Sequence, residues 1–480
     1  MTLRCTVKVE IGPPSGEGSQ AVAAMIDRPD ELAPETLGLT LAEAHALLRD
    51  VQARVVVAQI DEWQAAHRAC PACGSARGLK ERRPLVMRTA FGEQVVQAER
   101  LRRCPCGGDD ETSATVTPIA TLLPERTTPE LLFLETRWAS FVSFGLAARM
   151  LSELLPLDRP IGAERVRRHL HGVAEREEAQ LGAEESYYFD GCQRDLFEME
   201  QPDGPVVVGI DGGYVRDREG SWFEVIAGKG LGSFKRDGDR HPVDEPIGTR
   251  PAGRCFAFVQ AFDDRPRRRM FEMLRGLGYQ PNQKLVMLSD GGESVRMLGR
   301  RIGPEAEHVL DWFHVAMRVT ALGQMVKGAA AEDRWRDERL SDLERVKQLL
   351  WHGHAREAEA SIGWIEADVE AELDDATGER RAKLKRLGAA VREFQVYIHR
   401  NAGSVVDYGE RFRAGERISS GFVESAINQV VAKRFSKRQS MRWTRRGAHL
   451  TLQTRTRVLN GDLDVAFRRR WPGFQATQAA

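Results

Sequence analysis

No stretch of about 18 uninterrupted apolar residues occurs in the chain, so the sequence offers no candidate membrane span. The opening residues, MTLRCTVKVEIGPPSGEGSQ, lack the apolar core of a secretory signal, which sets the expected location in a reducing cytoplasm. Cysteine is scarce. Seven in 480 residues exclude a disulfide-held scaffold and make clustered cysteines read as metal ligands. Net charge is missing as well: 70 basic and 70 acidic side chains cancel, against a simple DNA-coating protein. Nor is there a repeat of 20 to 50 residues, which removes solenoid and propeller architectures.

What is present is unevenly spread. Residues 401–480 carry fifteen Lys/Arg against six Asp/Glu, so the C-terminal end is basic and points to a polyanion partner. At about 150 residues per domain the length suggests roughly three units. Residues 1–35, rich in Gly, Pro, Ser and acidic side chains, read as a flexible N-terminus. Residues 36–125 hold a helix from Thr40 to about His67, then two cysteine pairs around the alternating stretch GEQVVQAERLRRC. Residues 126–185 read as three short helices, the third rich in arginine, in the manner of a helix-turn-helix or of an ordinary helical linker. From 200 the pattern changes to apolar strands, then to alternating helix and strand, which predicts a mixed α/β sheet. Residues 327–400 lose the strand signal and read as a helical insertion. The sheet domain therefore spans 200–326 and 401–460, with 461–480 as a tail.

Three carboxylates stand out. Asp211 in PVVVGIDGGYV and Asp290 in KLVMLSDGG each close an apolar run and precede Gly-Gly. Strand ends are where α/β sheets place ligands, and a divalent cation compensates a carboxylate held there. A turn or helix cap is the commoner reason for such an Asp, but two in one sheet weaken that explanation. Glu424 opens a helix read from Ser420 onward, on which Glu424, Asn428 and Val431 share a face. Lys433, Arg434, Lys437, Arg438, Arg442, Arg445 and Arg446 follow it, suited to holding DNA phosphates.

The ordered set IDGGYVR, LSDGG, VLDWFH and GFVESAINQVVAKRF…MRWTRRGA resembles the DDE transposases of bacterial insertion sequences, the Kra-type group related to mutator-like transposases, over residues 70–460. The resemblance implies a ribonuclease-H-like fold with an all-α insertion, preceded by a zinc ribbon. It implies DNA cleavage and strand transfer at element ends, with Asp211, Asp290 and Glu424 as the catalytic carboxylates holding two Mg²⁺ (or Mn²⁺) ions. Asp311 and His314 match an accessory pair; an alternative puts Asp311 in place of Asp290. The implied partners are double-stranded DNA, as terminal inverted repeats and target, and at least one further copy of the chain. A related nuclease without strand transfer and a non-catalytic DNA-binding regulator are the competing readings.

CPACG and RRCPCGG resemble the two turns of a zinc ribbon, with Cys70, Cys73, Cys104 and Cys106 around a structural Zn²⁺. The second pair is Cys-x-Cys, and His67 stands as a substitute candidate.

Overall fold

The computed structural model describes residues 3–12, 18–31, 33–106, 114–185, 192–200, 204–232, 253–299, 302–303, 306–436 and 441–476. The side chains of 193, 196, 197, 424–426 and 436 lie outside that description. Contacts divide the chain into two compact units, Met1–Val173 with Asp462–Ala480, and Ala174–Gly461.

The first unit begins with a hairpin, β1 Leu3–Ile11 and β2 Ser19–Arg28, where a flexible segment is expected. The Gly/Pro/Ser-rich composition that suggested flexibility is concentrated between the two strands. β1, LRCTVKVEI, alternates apolar and polar residues, while β2 carries the apolar run AVAAMI. Helix α1 (Leu41–Ala66) starts at a capping box in which Thr40 and Glu43 satisfy each other's backbone N–H. A three-stranded antiparallel sheet follows: β3 Leu79–Thr89, β4 Gly92–Arg102 and β5 Thr115–Val116. Val56 and Ile60 of α1 pack on Met87, Val96 and Ala98 of this sheet and on Ile119 of the short α2 (Ile119–Leu122).

Helices α3 (Pro129–Phe141), α4 (Phe144–Leu154) and α5 (Ala163–Gln180) occur where the apolar periodicity predicts them. Glu135 on α3 is fully buried and accepts hydrogen bonds from Arg165 and His169 on α5, which fixes the two helices together. The expected C-terminal tail instead forms a helix, Leu463–Arg470. Its Phe467 stacks edge-on against Phe133 at 5.2 Å, with Phe474 beside it.

The second unit is built on a five-stranded sheet. Its strands are β6 Val206–Arg216, β7 Trp222–Leu231, β8 Arg254–Val259, β9 Leu285–Ser289 and β10 Ala306–Leu310, in spatial order β10-β9-β6-β7-β8. β6, β7 and β8 are antiparallel neighbours, while β9 runs parallel to both β6 and β10. The sheet is therefore mixed, as the sequence predicts. Apart from α6 (Gln193–Glu198), which precedes the sheet, the connecting helices are α7 (Pro266–Gly276) and α8 (Glu293–Gly299). Val206, Val208 and Ile210 face Met270, Leu274 and Leu298 of these helices. Val207, on the opposite face, packs with Leu288, Val309, Tyr408 and Ile418.

Four helices then pack on one another: α9 Trp312–Ala329, α10 Asp333–Trp351, α11 Ala355–Asp375 and α12 Gly378–Asn401. This helical block begins at 312 rather than 327, because Val315, Val319, Leu322 and Val326 of α9 belong to its core. After α13 (Tyr408–Arg413) come α14 (Gly421–Ile427), a π-helical stretch Asn428–Ser436, and α15 (Arg445–Leu459).

Candidate active site

The strand register lines up three aspartates. β6 and β9 place Gly209 opposite Leu288, and β9 and β10 place Ser289 opposite Leu310. Continuing that register sets Asp211, Asp290 and Asp311 in one row across three adjacent parallel strands. Asp290 follows the last residue of β9, as expected for a strand end. Asp211 does not end its strand: β6 continues to Arg216, held by pairing with β7, and only its pairing with β9 stops at Gly209.

Asp211 feels its neighbours. Burial raises the Asp211 carboxyl above its ordinary range and the charges of Asp290 and Asp311 add to the rise, against the Gly212 N–H and His314. That N–H donates to Asp211 Oδ1 at 2.7 Å. Glu224 on β7, unassigned from the sequence, joins the group: burial, then Asp290 and Asp211, raise its carboxyl too. A Cβ on Gly212 would stand 2.7 Å from Glu224 Oε1, so this carboxylate lies directly over the glycine and would have to shift for any larger residue. The available signal was a single acid inside the apolar strand WFEVIAGKG.

Asp311 is fully buried and caps α9, accepting the Phe313 N–H at Oδ1 (2.9 Å). Its Oδ2 meets His314 Nδ1 at 2.8 Å and accepts from the Ser420 hydroxyl. The bond to Asp311 raises the His314 pKa, burial opposes it, and the charges of Asp211 and Asp290 raise it further. Behind Asp290, His308 lies between the Ser289 and Ser404 hydroxyls at 2.7 and 2.8 Å, and burial holds its pKa down at about 4. It is a neutral bridge that fixes the turn after β9. Gly291 in that turn has φ 85° and abuts Asn401.

Glu424 lies on α14, which packs against β6 and β7; its side chain is outside the described residues. The approach is close: a Cβ on Gly209 would stand 2.0 Å from Val423 Cγ2. Gly209 and Asp211 share a face of β6 by alternation, so the helix carrying Glu424 is laid over the face that carries Asp211. Downstream, winding changes from α to π at Asn428, so the expected i, i+4, i+7 face of Glu424, Asn428 and Val431 does not continue along the element.

The basic residues divide. Lys433, Arg442, Arg445 and Arg446 are exposed; Arg445 lies 3.9 Å from Asp217, and Arg446 pairs with Glu175. Lys437 and Arg438 lie outside the described residues. Arg434 departs from the expectation of a phosphate contact. It is fully buried, its guanidinium 4.9 Å from the Trp443 ring centroid, and burial pulls its pKa down to about 9. Trp443 is itself tied to β6, its N–H donating to Arg216 O at 3.1 Å.

The four cysteines predicted as ligands come together. Cys70 and Cys106 sulfurs lie 3.5 Å apart, Cys73 and Cys104 3.4 Å, and all four lie within 4.8 Å of one another. The first turn is closed by Cys70 N–H to Ser75 O and by Gly74 N–H to Cys70 O, both 2.8 Å, with Gly74 at φ 73°. Hydrogen bonds from Ser75 pull the Cys73 thiol down to about 6, and backbone N–H groups of Cys73 and Ala72 lower Cys70. The Cys106 N–H favours the Cys104 thiolate, but the neighbouring sulfurs push that thiol up to about 12. Such crowding of sulfurs suits a cation at their centre, and the cluster can hold a structural zinc ion. His67 turns away: its Nδ1 meets Trp63 O at 2.7 Å and its ring stacks on Trp63.

Glu178, Asp263 and His449 form a second group with metal-ligand spacing. Here Arg269 already holds the centre, with Nη1 at 2.9 Å from Glu178 and Nε at 2.9 Å from Asp263. This is an ion-pair hub joining α5, α7 and α15.

Compared with known protein families and with curated proteins, the chain matches none. Among the described residues no helix is long and apolar enough to cross a membrane.

Proposed function

We propose that this chain is a DNA transposase of the DDE type, cutting DNA at the ends of an insertion sequence and joining them to target DNA. The observation that carries the reading is the aspartate row on three parallel strands, with the helix bearing Glu424 laid on the glycine-lined face of β6 beside Asp211. The mixed five-stranded sheet, three antiparallel strands followed by two parallel ones, supports the ribonuclease-H-like part of the reading, and the helical block α9–α12 supports its all-α insertion. The cysteine cluster supports the zinc-ribbon part of the reading, and α3–α5 the helix-turn-helix part.

The donor set fits a hard divalent cation. Asp211 and Asp290 are oxygen donors, and burial, with the neighbouring carboxylate charges adding to it, raises the Asp211 carboxyl, a cost that a cation relieves. Asp211, Asp290 and Glu424 would hold Mg²⁺ or Mn²⁺, which activates an attacking oxygen and stabilises the departing one. Asp311 is a positioning residue: its oxygens are engaged by Phe313, His314 and Ser420, so it orients His314 and anchors the residue before α14. His314, held toward its charged form by Asp311, would donate a hydrogen bond to a phosphate oxygen. Lys433, Arg442, Arg445 and Arg446 bind the DNA backbone and set its position without reading sequence.

The test is a strand-transfer assay with the element's own ends, target DNA and Mg²⁺. Joined products support the proposal. Cleavage without joining gives the nuclease reading, and binding without cleavage gives the regulator.

A further inference from the structure

The hairpin β1–β2 is a sheet of only two strands. The inner edge of β1 pairs with β2; among the described residues, no strand or hydrogen bond reaches its outer edge. A nine-residue strand with one open edge is a template for pairing. It is also regular, because the register shift near Val7/Lys8 puts the extra residue, Ala23, in β2. Large apolar side chains lie open around it: Leu3 and Met25 are each 67% exposed, and Val22 46%.

Residues 1–66 hold ten acidic against five basic side chains, so this region repels nucleic acid and favours a protein partner. The strand itself says which. In an antiparallel pair of identical strands related by a two-fold axis, one residue faces its own copy. Centred on Val7, the sequence LRCTVKVEI sets Arg4 opposite Glu10, Leu3 opposite Ile11 and Cys5 opposite Val9, at both ends. Every charge but Lys8 meets its opposite, Lys8 meets Thr6, and every apolar residue meets an apolar one. Centring on Thr6 would oppose Arg4 to Lys8, and centring on Lys8 would oppose two lysines.

We infer that the outer edge of β1 is a docking surface for a second copy of this chain, joined antiparallel about Val7 into a four-stranded sheet. The exposed Leu3 is then covered by Ile11 of the other copy. Arg4, already paired with Asp27 at 2.6 Å within its own hairpin, gains a second carboxylate from the other side. This inference does not depend on the reading of the acidic row.

The test uses the full-length chain in two measurements. Light scattering at micromolar concentration should give twice the chain mass, and Glu10→Arg, which opposes two arginines at each end, should raise the dimer dissociation constant at least about tenfold. In a Cys5→Ser background, Val7→Cys should form an inter-chain disulfide on mild oxidation, since a residue facing itself across antiparallel strands lies within disulfide reach. Arg4→Cys in the same background should not, because its own copy lies six positions away. Circular dichroism of each variant guards against misfolding. A monomeric wild-type chain would overturn the inference. So would a dimer in which Val7→Cys fails to crosslink, because that dimer is made elsewhere.

Discussion

The cysteine cluster and the aspartate row are both groups of side chains with donor atoms suited to cations, assembled in opposite ways. The cluster comes from two turns 31 residues apart, brackets one small sheet, and already has its sulfurs in mutual contact. The row draws Asp211, Asp290 and Asp311 from three strands, with Glu424 brought in by a helix more than a hundred residues beyond Asp311. A closed set of soft donors belongs to folding, whereas an open set of hard donors held by an independent core belongs to chemistry. On the proposed reading, a zinc ion at the first would be inseparable from local structure, and a divalent cation at the second would be removable without loss of fold.

The largest effect that tests this contrast is on activity. Asp211→Asn, Asp290→Asn and Glu424→Gln should each reduce DNA cleavage to background while leaving the thermal midpoint and DNA affinity close to wild type. Asp311→Asn should cost roughly 10- to 100-fold, as positioning partners of metal sites do. A cleavage-competent Asp211→Asn chain would remove the row from the chemistry.

Zinc comes next. Elemental analysis of reduced protein should find about one zinc per chain. Chelation or Cys73→Ser should expose residues 65–110 to proteolysis and leave 204–459 protected. Equal protection of both regions would make the cluster a set of ordinary buried thiols.

A third comparison sets Arg434 against Arg445. Arg434→Ala removes a buried cation stacked on Trp443 and should cost about 2–4 kcal/mol in chemical denaturation. The salt dependence of DNA binding should stay unchanged. Arg445→Ala should leave stability unaltered and flatten the salt dependence by about one unit. A reversal of these outcomes would put Arg434 on the DNA.

The smallest effect concerns the arginine-filled hub. Burial alone would raise the Glu178 carboxyl, but hydrogen bonds from His449 and Arg269 hold it at about 2. A glutamate in the unfolded chain titrates near 4.3, so the folded value is the lower one. The stabilisation is therefore complete above about pH 4.5 and is lost as pH falls toward 2, by no more than roughly 3 kcal/mol. Denaturation of Glu178→Gln and wild type across pH 2–6 should converge at the acid end; curves that stay parallel would contradict the sign.

The cysteine pairs, Asp290 and the helical block were legible because each is written in local spacing: short Cys motifs, an apolar run ending in Asp, a periodic charged stretch. Asp311 and His314 stood in one short motif. Glu224 was not legible, because the charges of Asp290 and Asp211 that it feels come from distant parts of the chain, not from its neighbours in sequence. The burial of Arg434 was hidden by the change from α to π winding, which moves residues off the faces an α-helical wheel assigns. The hairpin was masked by the composition of its turn, and the helix at Leu463–Arg470 by a basic end that reads as solvated tail.

The bond between Ser420 and Asp311 joins residues 109 apart in sequence, with the whole α9–α12 block between them. In the time course of folding, that block forms through contacts between successive helices, whereas this closure must bring together the ends of a long loop. Loop-closure cost grows slowly with length, so the block can be large without preventing closure, but it places closure late. A refolding chain should regain helical circular dichroism first and DNA cleavage last, the delay measuring how long α14 takes to find β6.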